Sequence, residues 1–345
     1  MEDVDVQELV EQISFSTDYL PYQSLWTPKD CVCALGKTAK GSGILQILQL
    51  KAGELQAIAE VSTDAGLRCG ALSELSIDDC NVTVGDLKGS LFSYNLARLD
   101  LPSWSVNGHE DVVNSIDSVG GFNSGFGPAE LVSGSRDGTV KVWDTRIDQA
   151  VLCLETKSPS ELSLGSFDCW SVAFGNSFSD KERCIAAGFD NGDVKVFDLR
   201  KNSVLWEFNC ERAGISGLEF KKKTEEMDIL VATSCVSDVI LCDLKEVPSE
   251  NETKIVTLPH ESMMTWSSHH LPQDPEYVVV TGVDGKLNLL TYDSPADTAS
   301  EITFDILDVT NVSAKAITSF DWNKNRFGFS VLSCLDNCIK VVVLC

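Results

Sequence analysis

The chain repeats itself, and the repeat decides what it can fold into. Leu131–Asp144 reads LVSGSRDGTVKVWD and Ile185–Asp198 reads IAAGFDNGDVKVFD. Each is a strand of small and apolar residues, a tight Asp/Gly turn, and an alternating strand ending in an aromatic and Asp, the pattern of a β-hairpin. Weaker copies lie at Ala34–Gln49, Val82–Asn95, Leu230–Asp243, Val278–Thr291 and Phe329–Val343, so seven copies account for essentially the whole chain. The turn residues Gly43, Gly89, Gly138, Gly192, Ser237, Gly285 and Asn337 are separated by 46, 49, 54, 45, 48 and 52 residues. A four-stranded propeller blade needs roughly 40–45 residues plus loop insertions. Helical solenoids of similar period are excluded, because the periodicity inside each unit is two. The expected fold is all-β: residues 1–345 form one seven-bladed β-propeller.

Closure is also legible. Ile339–Leu344 is the third strand of the last blade, which then lacks an outer strand. Val6–Ser14 precedes the first blade and has no other role there, so residues 1–15 are expected to supply the closing strand, leaving no open sheet edge in the ring. The competing reading of Val6–Ser14 is a helix.

Composition removes several functions. The formal charge of −25, with 27 basic against 52 acidic residues, argues against a nucleic-acid ligand, which needs a clustered basic face. The one basic run, Lys221–Lys223, is followed at once by Glu225, Glu226 and Asp228 and reads as a solvated loop. The acidity suits a basic partner surface without identifying one. Apolar runs such as Val278–Val280 are strand-length, too short for a membrane span. The start, with Glu2, Asp3 and Asp5, lacks a secretory pattern, and a cytosolic or nuclear protein is expected. Thirteen cysteines form no CxxC pair; alternating Cys31 and Cys33 fit one strand face, packed as small apolar residues. No Walker loop, metal cluster or paired catalytic carboxylates appears, so no catalytic residue, metal or cofactor is expected.

The third copy resembles the WD-repeat consensus. It carries Gly108-His109, Ser133, Asp137 in the turn and Trp143-Asp144. In that family the Trp ring N–H donates to the Ser hydroxyl, Ser to His and His to Asp, a buried network that fixes blade geometry. His109, Ser133 and Asp137 also imitate a hydrolase triad, but the resemblance buries the Ser between strands. The sixth copy is read as keeping His260, Thr281 and Asp284, with Leu290 in place of Trp; the fourth lacks the His and has Phe197.

Partners must be sought in residues the blades do not need. The innermost strands start at Tyr22, Arg68, Asn114, Trp170, Ser216, Trp266 and Thr318, and this ring is expected at the top mouth of the central channel. The residue before each turn, read as Arg136, Phe189, Val283 and Leu335, is expected on the same face. Tyr22, Arg68, Arg136, Trp170, Phe189 and Trp266 are therefore the candidate protein-binding residues, with the composition of an interaction hot spot. The alternative is that Trp170 and Trp266 merely pack between blades. On the opposite face Gly120–Pro128 (GGFNSGFGP) is a glycine-rich loop that reads equally as a binding loop or a spacer.

Asn114–Asp144 and Asp168–Arg200, with the glycine-rich insertion, the DCW start at Asp168–Trp170 and the FGN ending at Phe174–Asn176, resemble the Monad-type WD-repeat proteins, a family of axonemal dynein assembly factors. Weaker similarity, including His270–Pro272 and Phe320–Trp322, extends it over nearly the full length. The resemblance implies a cytoplasmic, monomeric, non-catalytic co-chaperone adaptor that works with the RuvB-like ATPase and prefoldin-like complex in assembly of ciliary dynein arms. Its partners would be that co-chaperone complex and dynein-chain clients, with no nucleic acid and no membrane. The rival is a substrate receptor of a cullin-type ubiquitin ligase, because Trp143–Arg146 and Phe197–Arg200 resemble the paired WDxR signature.

Overall fold

The computed structural model describes residues 8–74, 79–121, 125–154, 167–245, 253–258, 264–293 and 303–345. These form seven four-stranded antiparallel sheets arranged as a seven-bladed β-propeller. In six blades the strands follow one another outward in chain order, as in Val113–Val119, Glu130–Ser135, Val140–Trp143 and Ala150–Leu154 of blade three. No helix occurs among the described residues, and none is long and apolar enough to cross a membrane.

Blade seven differs. Its outer strand is Leu9–Ser16, paired antiparallel with Cys338–Leu344 from Leu9 opposite Leu344 to Ser16 opposite Cys338. The segment is a strand and not a helix; residues 6 and 7 lie outside the described residues. Its inward side chains explain the pairing. Leu9 joins the cluster of Leu332, Val342 and Leu344, while Ile13 and Phe15 pack against Val331, Ile339 and Val341. Lys340 bonds Glu11 across the pair at 2.9 Å.

The second strand of each blade lies between neighbouring blades. Cys184–Phe189 and Ile229–Ser234 are buried along their whole length, which is why the sequence there is a continuous run of small and apolar residues. Outer strands are largely exposed, as in Glu54–Thr63, where only Leu55 is buried. Cys33 is buried with Leu35 and Leu45, and Cys31 packs against that cluster.

The turns tie each blade to the connection that follows. Gly89 has φ +90°, and a Cβ there would lie 2.2 Å from the His109 carbonyl oxygen, so only glycine fits. The His109 N–H donates back to the Gly89 carbonyl at 3.0 Å. Blade five keeps this bond without glycine: Leu258 N–H donates to Ser237 at 2.7 Å. In blade one the left-handed residue is Gly41, and Gly43 opens the next strand.

Each innermost strand is an edge whose N–H groups need partners. The preceding blade supplies them. Asp117 accepts from Phe174 N–H at 2.8 Å, Glu219 from His270 N–H at 2.6 Å and Asp321 from Trp26 N–H at 2.7 Å. Ser115, Ser171 and Ser319 do the same for Val172, Leu218 and Ser24. The last of each set spans the junction between blades seven and one.

Asp321 gives this ring a measurable pH signature. Desolvation in the channel wall pushes its carboxyl up to about 7, against the lowering effects of the Trp26 N–H and Lys324 and Lys223, and with a further push from Glu219. The folded state therefore holds a proton that the unfolded chain releases near its ordinary value of about 3.9. Stability falls as pH rises from about 4 to about 7 and levels above that window. Asp321→Asn keeps an acceptor for Trp26 and removes the titration. Urea melts from pH 4.5 to 8 should show a flatter slope for the variant; identical slopes would refute the assignment.

Candidate functional site

Seven side chains surround the channel mouth for one backbone reason. In every inner strand the pairing register slips near its start, and the residues skipped there are Tyr22, Arg68, Asn114, Trp170, Ser216, Trp266 and Thr318. A β-bulge leaves its extra residue unpaired and re-aims its side chain. Here all seven line a central cavity of about 650 Å³.

The ring divides into two chemistries. The polar members hold neighbouring blades: Asn114 donates to the Cys169 carbonyl at 3.0 Å, Ser216 to that of Thr265 at 2.9 Å, and Thr318 to that of Pro21 at 3.2 Å. The other four meet each other. Trp170 and Trp266 stand edge to face with ring centroids 6.2 Å apart. The Arg68 guanidinium carbon lies 5.4 Å from the Tyr22 ring centroid and 5.5 Å from that of Trp266. Burial lowers the Arg68 pKa, with Cys69 and Tyr22 opposing. Among the described residues, no side-chain polar atom of these four makes a hydrogen bond. All four are half-buried, so Trp170 and Trp266 are channel-wall residues and not filling between blades.

Arg136 sits outside the channel. It is 59% exposed, with its Nε 3.5 Å from Asp168 and 3.8 Å from Asp111. The link to Asp168, two residues before Trp170, places it beside the mouth and not within it. Desolvation and then the nearby Asp190 raise the Asp168 carboxyl, and Arg136 opposes them.

Phe189 is a correction. It is only 3% exposed and packs with Val132, Val140, Cys169 and Phe197 between blades three and four. Phe189 stands opposite Cys169 as Ser135 stands opposite Val113, so it matches Ser135 of blade three. Asp190 matches Arg136. A shift of one residue along a strand turns a side chain to the other face.

In blade three, Trp143 Nε1–H donates to Ser133 Oγ at 2.7 Å, Ser133 Oγ is 2.7 Å from His109 Nε2, and His109 Nδ1 is 3.1 Å from Asp137. Burial alone would raise the Asp137 carboxyl. Bonds from His109, Thr139 and the Glu110 and Thr139 N–H groups outweigh it and hold the group well below the usual range. Ser133 has 0% exposure, so it is no accessible nucleophile. In the sixth copy Thr281 does not take the Ser133 position: it stands opposite Ser267 as Gly134 stands opposite Ser115, and its hydroxyl is 3.0 Å from that of Ser267. Val280 takes the place of Ser133; His260 lies outside the described residues.

Three basic residues on the opposite face have contacts invisible to the repeat pattern. Lys223 is no solvated charge: it reaches from blade five to blade three, where its Nζ is 2.7 Å from Asp117 and 3.1 Å from the Ser118 carbonyl. Lys221 lies over the Tyr292 ring. Arg183, buried, bonds Glu130 and the Phe126 carbonyl. With Phe126 N–H donating to Ser177 at 2.7 Å, it ties the described part of the Gly120–Pro128 loop to blade four; residues 122–124 lie outside. Phe126 itself is 58% exposed. The WDxR-like pair is used locally: Arg146 Nε is 2.8 Å from Asp144 in its own strand end, and Asp198 pairs with Lys201.

Residues 73–267 match the family model described as the nucleolar protein 10-like, N-terminal domain, a β-propeller. Relatives named dynein axonemal assembly factor 10 are 34% identical in Xenopus laevis, 32% in Homo sapiens and 31% in Chlamydomonas reinhardtii. Each alignment covers 98% of this chain and 96% of the relative. The chain belongs to the dynein axonemal assembly factor 10 family of β-propeller proteins.

Proposed function

We propose that residues 1–345 work as one non-catalytic propeller that holds other proteins at its channel mouth during assembly of axonemal dyneins. In this reading it is a cytoplasmic adaptor between the RuvB-like ATPase and prefoldin-like co-chaperone complex and dynein-chain clients. The names of its relatives support the assembly role. The observation that carries the binding site is the meeting of Tyr22, Arg68, Trp170 and Trp266, from four separate blades, with their polar edges unbonded. Blade packing does not require such a cluster, and its composition is that of an interface hot spot. Arg136 extends the site onto the rim.

Truncating an aromatic anchor commonly costs about 2 kcal/mol or more, roughly thirtyfold in affinity. The double variant Trp170→Ala/Trp266→Ala is expected to melt within a few degrees of the parent and to lose the co-chaperone complex and dynein chains in co-precipitation from ciliated cells. Retention of the same partners by the folded variant would exclude the mouth as the site. Unfolding of the variant would instead make the two Trp residues structural.

A further inference from the structure

We infer that the channel mouth is a carboxylate receptor: Arg68 is built to take an acidic side chain of a partner polypeptide. This rests on the reading of the mouth as a protein-binding site and names the chemistry it selects.

The Arg68 guanidinium lies against two aromatic rings and, among the described residues, has no hydrogen-bond acceptor. Its carbon lies 5.4 Å from the Tyr22 ring centroid and 5.5 Å from that of Trp266, contacts that use the charge and supply no oxygen acceptor to the five N–H donors. Among the described residues no carboxylate, carbonyl or hydroxyl bonds those donors. Of the three acids lining the cavity, Glu225 bonds Lys222, and the other two are also committed. Asp117 accepts from Phe174 N–H and Lys223, and Glu219 accepts from the main chain and ring of His270. A half-buried cation without a counter-ion is costly, consistent with the lowered pKa.

The surroundings favour an anion despite the charge of the whole chain. The net charge is −25, yet Arg68 is the one charged member of the seven-residue mouth ring, and the acids lining the cavity are paired, Asp117 with Lys223, Glu225 with Lys222 and Glu219 with His270. Exposed charges beyond about 8 Å are largely screened at physiological salt. A carboxylate matches the planar guanidinium fork with two parallel bonds. It carries one charge, so the field of the acidic chain opposes it half as strongly as a phosphate dianion. The half-buried rings of Trp170 and Trp266 offer apolar surface to the residues flanking the acid, which favours a polypeptide over a free small acid.

The test uses the full chain and the peptide Ala-Leu-Glu-Leu-Ala, acetylated and amidated at its ends, with its Gln counterpart and inorganic phosphate as controls. Binding is read by calorimetry and by emission of the channel tryptophans. The Glu peptide is expected to bind about tenfold or more tightly than the Gln peptide, the difference that bonds to a charged group confer. Arg68→Met, which keeps apolar contact with both rings, is expected to bring the Glu peptide down to the Gln level without moving the melting midpoint. Equal binding of both peptides, binding of neither, phosphate binding as tight as that of the Glu peptide, or full retention by Arg68→Met would each overturn the inference. If Arg68→Met keeps partners in co-precipitation that the Trp170→Ala/Trp266→Ala variant loses, the carboxylate role falls and the mouth site stands. If both variants keep them, both fall.

Discussion

Deleting residues 1–16 is expected to lower the melting midpoint by roughly 5–10 °C and to make the protein associate at high concentration. The strand Leu9–Ser16 covers the outer edge of Cys338–Leu344. Its removal uncovers the apolar contacts of Leu9, Ile13 and Phe15, on the order of 5 kcal/mol at about 1.5–3 kcal/mol per buried side chain, and for a chain of this length that sets the midpoint shift. It also leaves the backbone N–H and C=O groups of Cys338–Leu344 bare, a template for pairing with another chain. Calorimetry and sedimentation at two protein concentrations check both effects. An unchanged midpoint would mean that the closing strand carries no stability.

The second large effect is expected at Ser133. Ser133→Ala removes one hydroxyl but leaves two buried groups without a partner, the Trp143 N–H and the His109 Nε2. At about 1–3 kcal/mol for each, the loss should be about 2–6 kcal/mol. Trp143→Phe orphans only the Ser133 end of one bond and should cost about 1–3 kcal/mol. Denaturant melts of the two variants test the order as well as the size. A Ser133→Ala loss smaller than that of Trp143→Phe would show that His109 and Trp143 find other partners.

What the sequence reveals and conceals follows from which interactions are local. The hairpins were legible because their turns and alternation lie within fifteen residues. The closing strand was legible within three residues, as Val6–Ser14 against the observed Leu9–Ser16, because its alternation had to match a strand that lacked a neighbour. The mouth ring could be placed from where each inner strand starts, but the bulge that aims each side chain inward depends on pairing with the next strand. Phe189 and Thr281 were misplaced by one residue for the same reason: the turn marker fixes a turn, while pairing fixes the face. Lys223 was read as solvated because its partner, Asp117, is 106 residues away and no periodicity relates them. Arg68 carries no motif at all; its meaning comes from Tyr22 and Trp266, brought to it by other blades.

The pairing of Leu9–Ser16 with Cys338–Leu344 also sets a clock during synthesis. At roughly 5–20 residues per second, the first strand leaves the ribosome tens of seconds before its partner exists. Blades two to six gain both neighbours as they emerge. Blade one does not: its flank of Trp26, Val32 and Ala34 packs on Val331, Ile339 and Val341 and stays wet for that whole interval. The nascent chain therefore shows an apolar flank and an unmatched strand until Cys338–Leu344 is made.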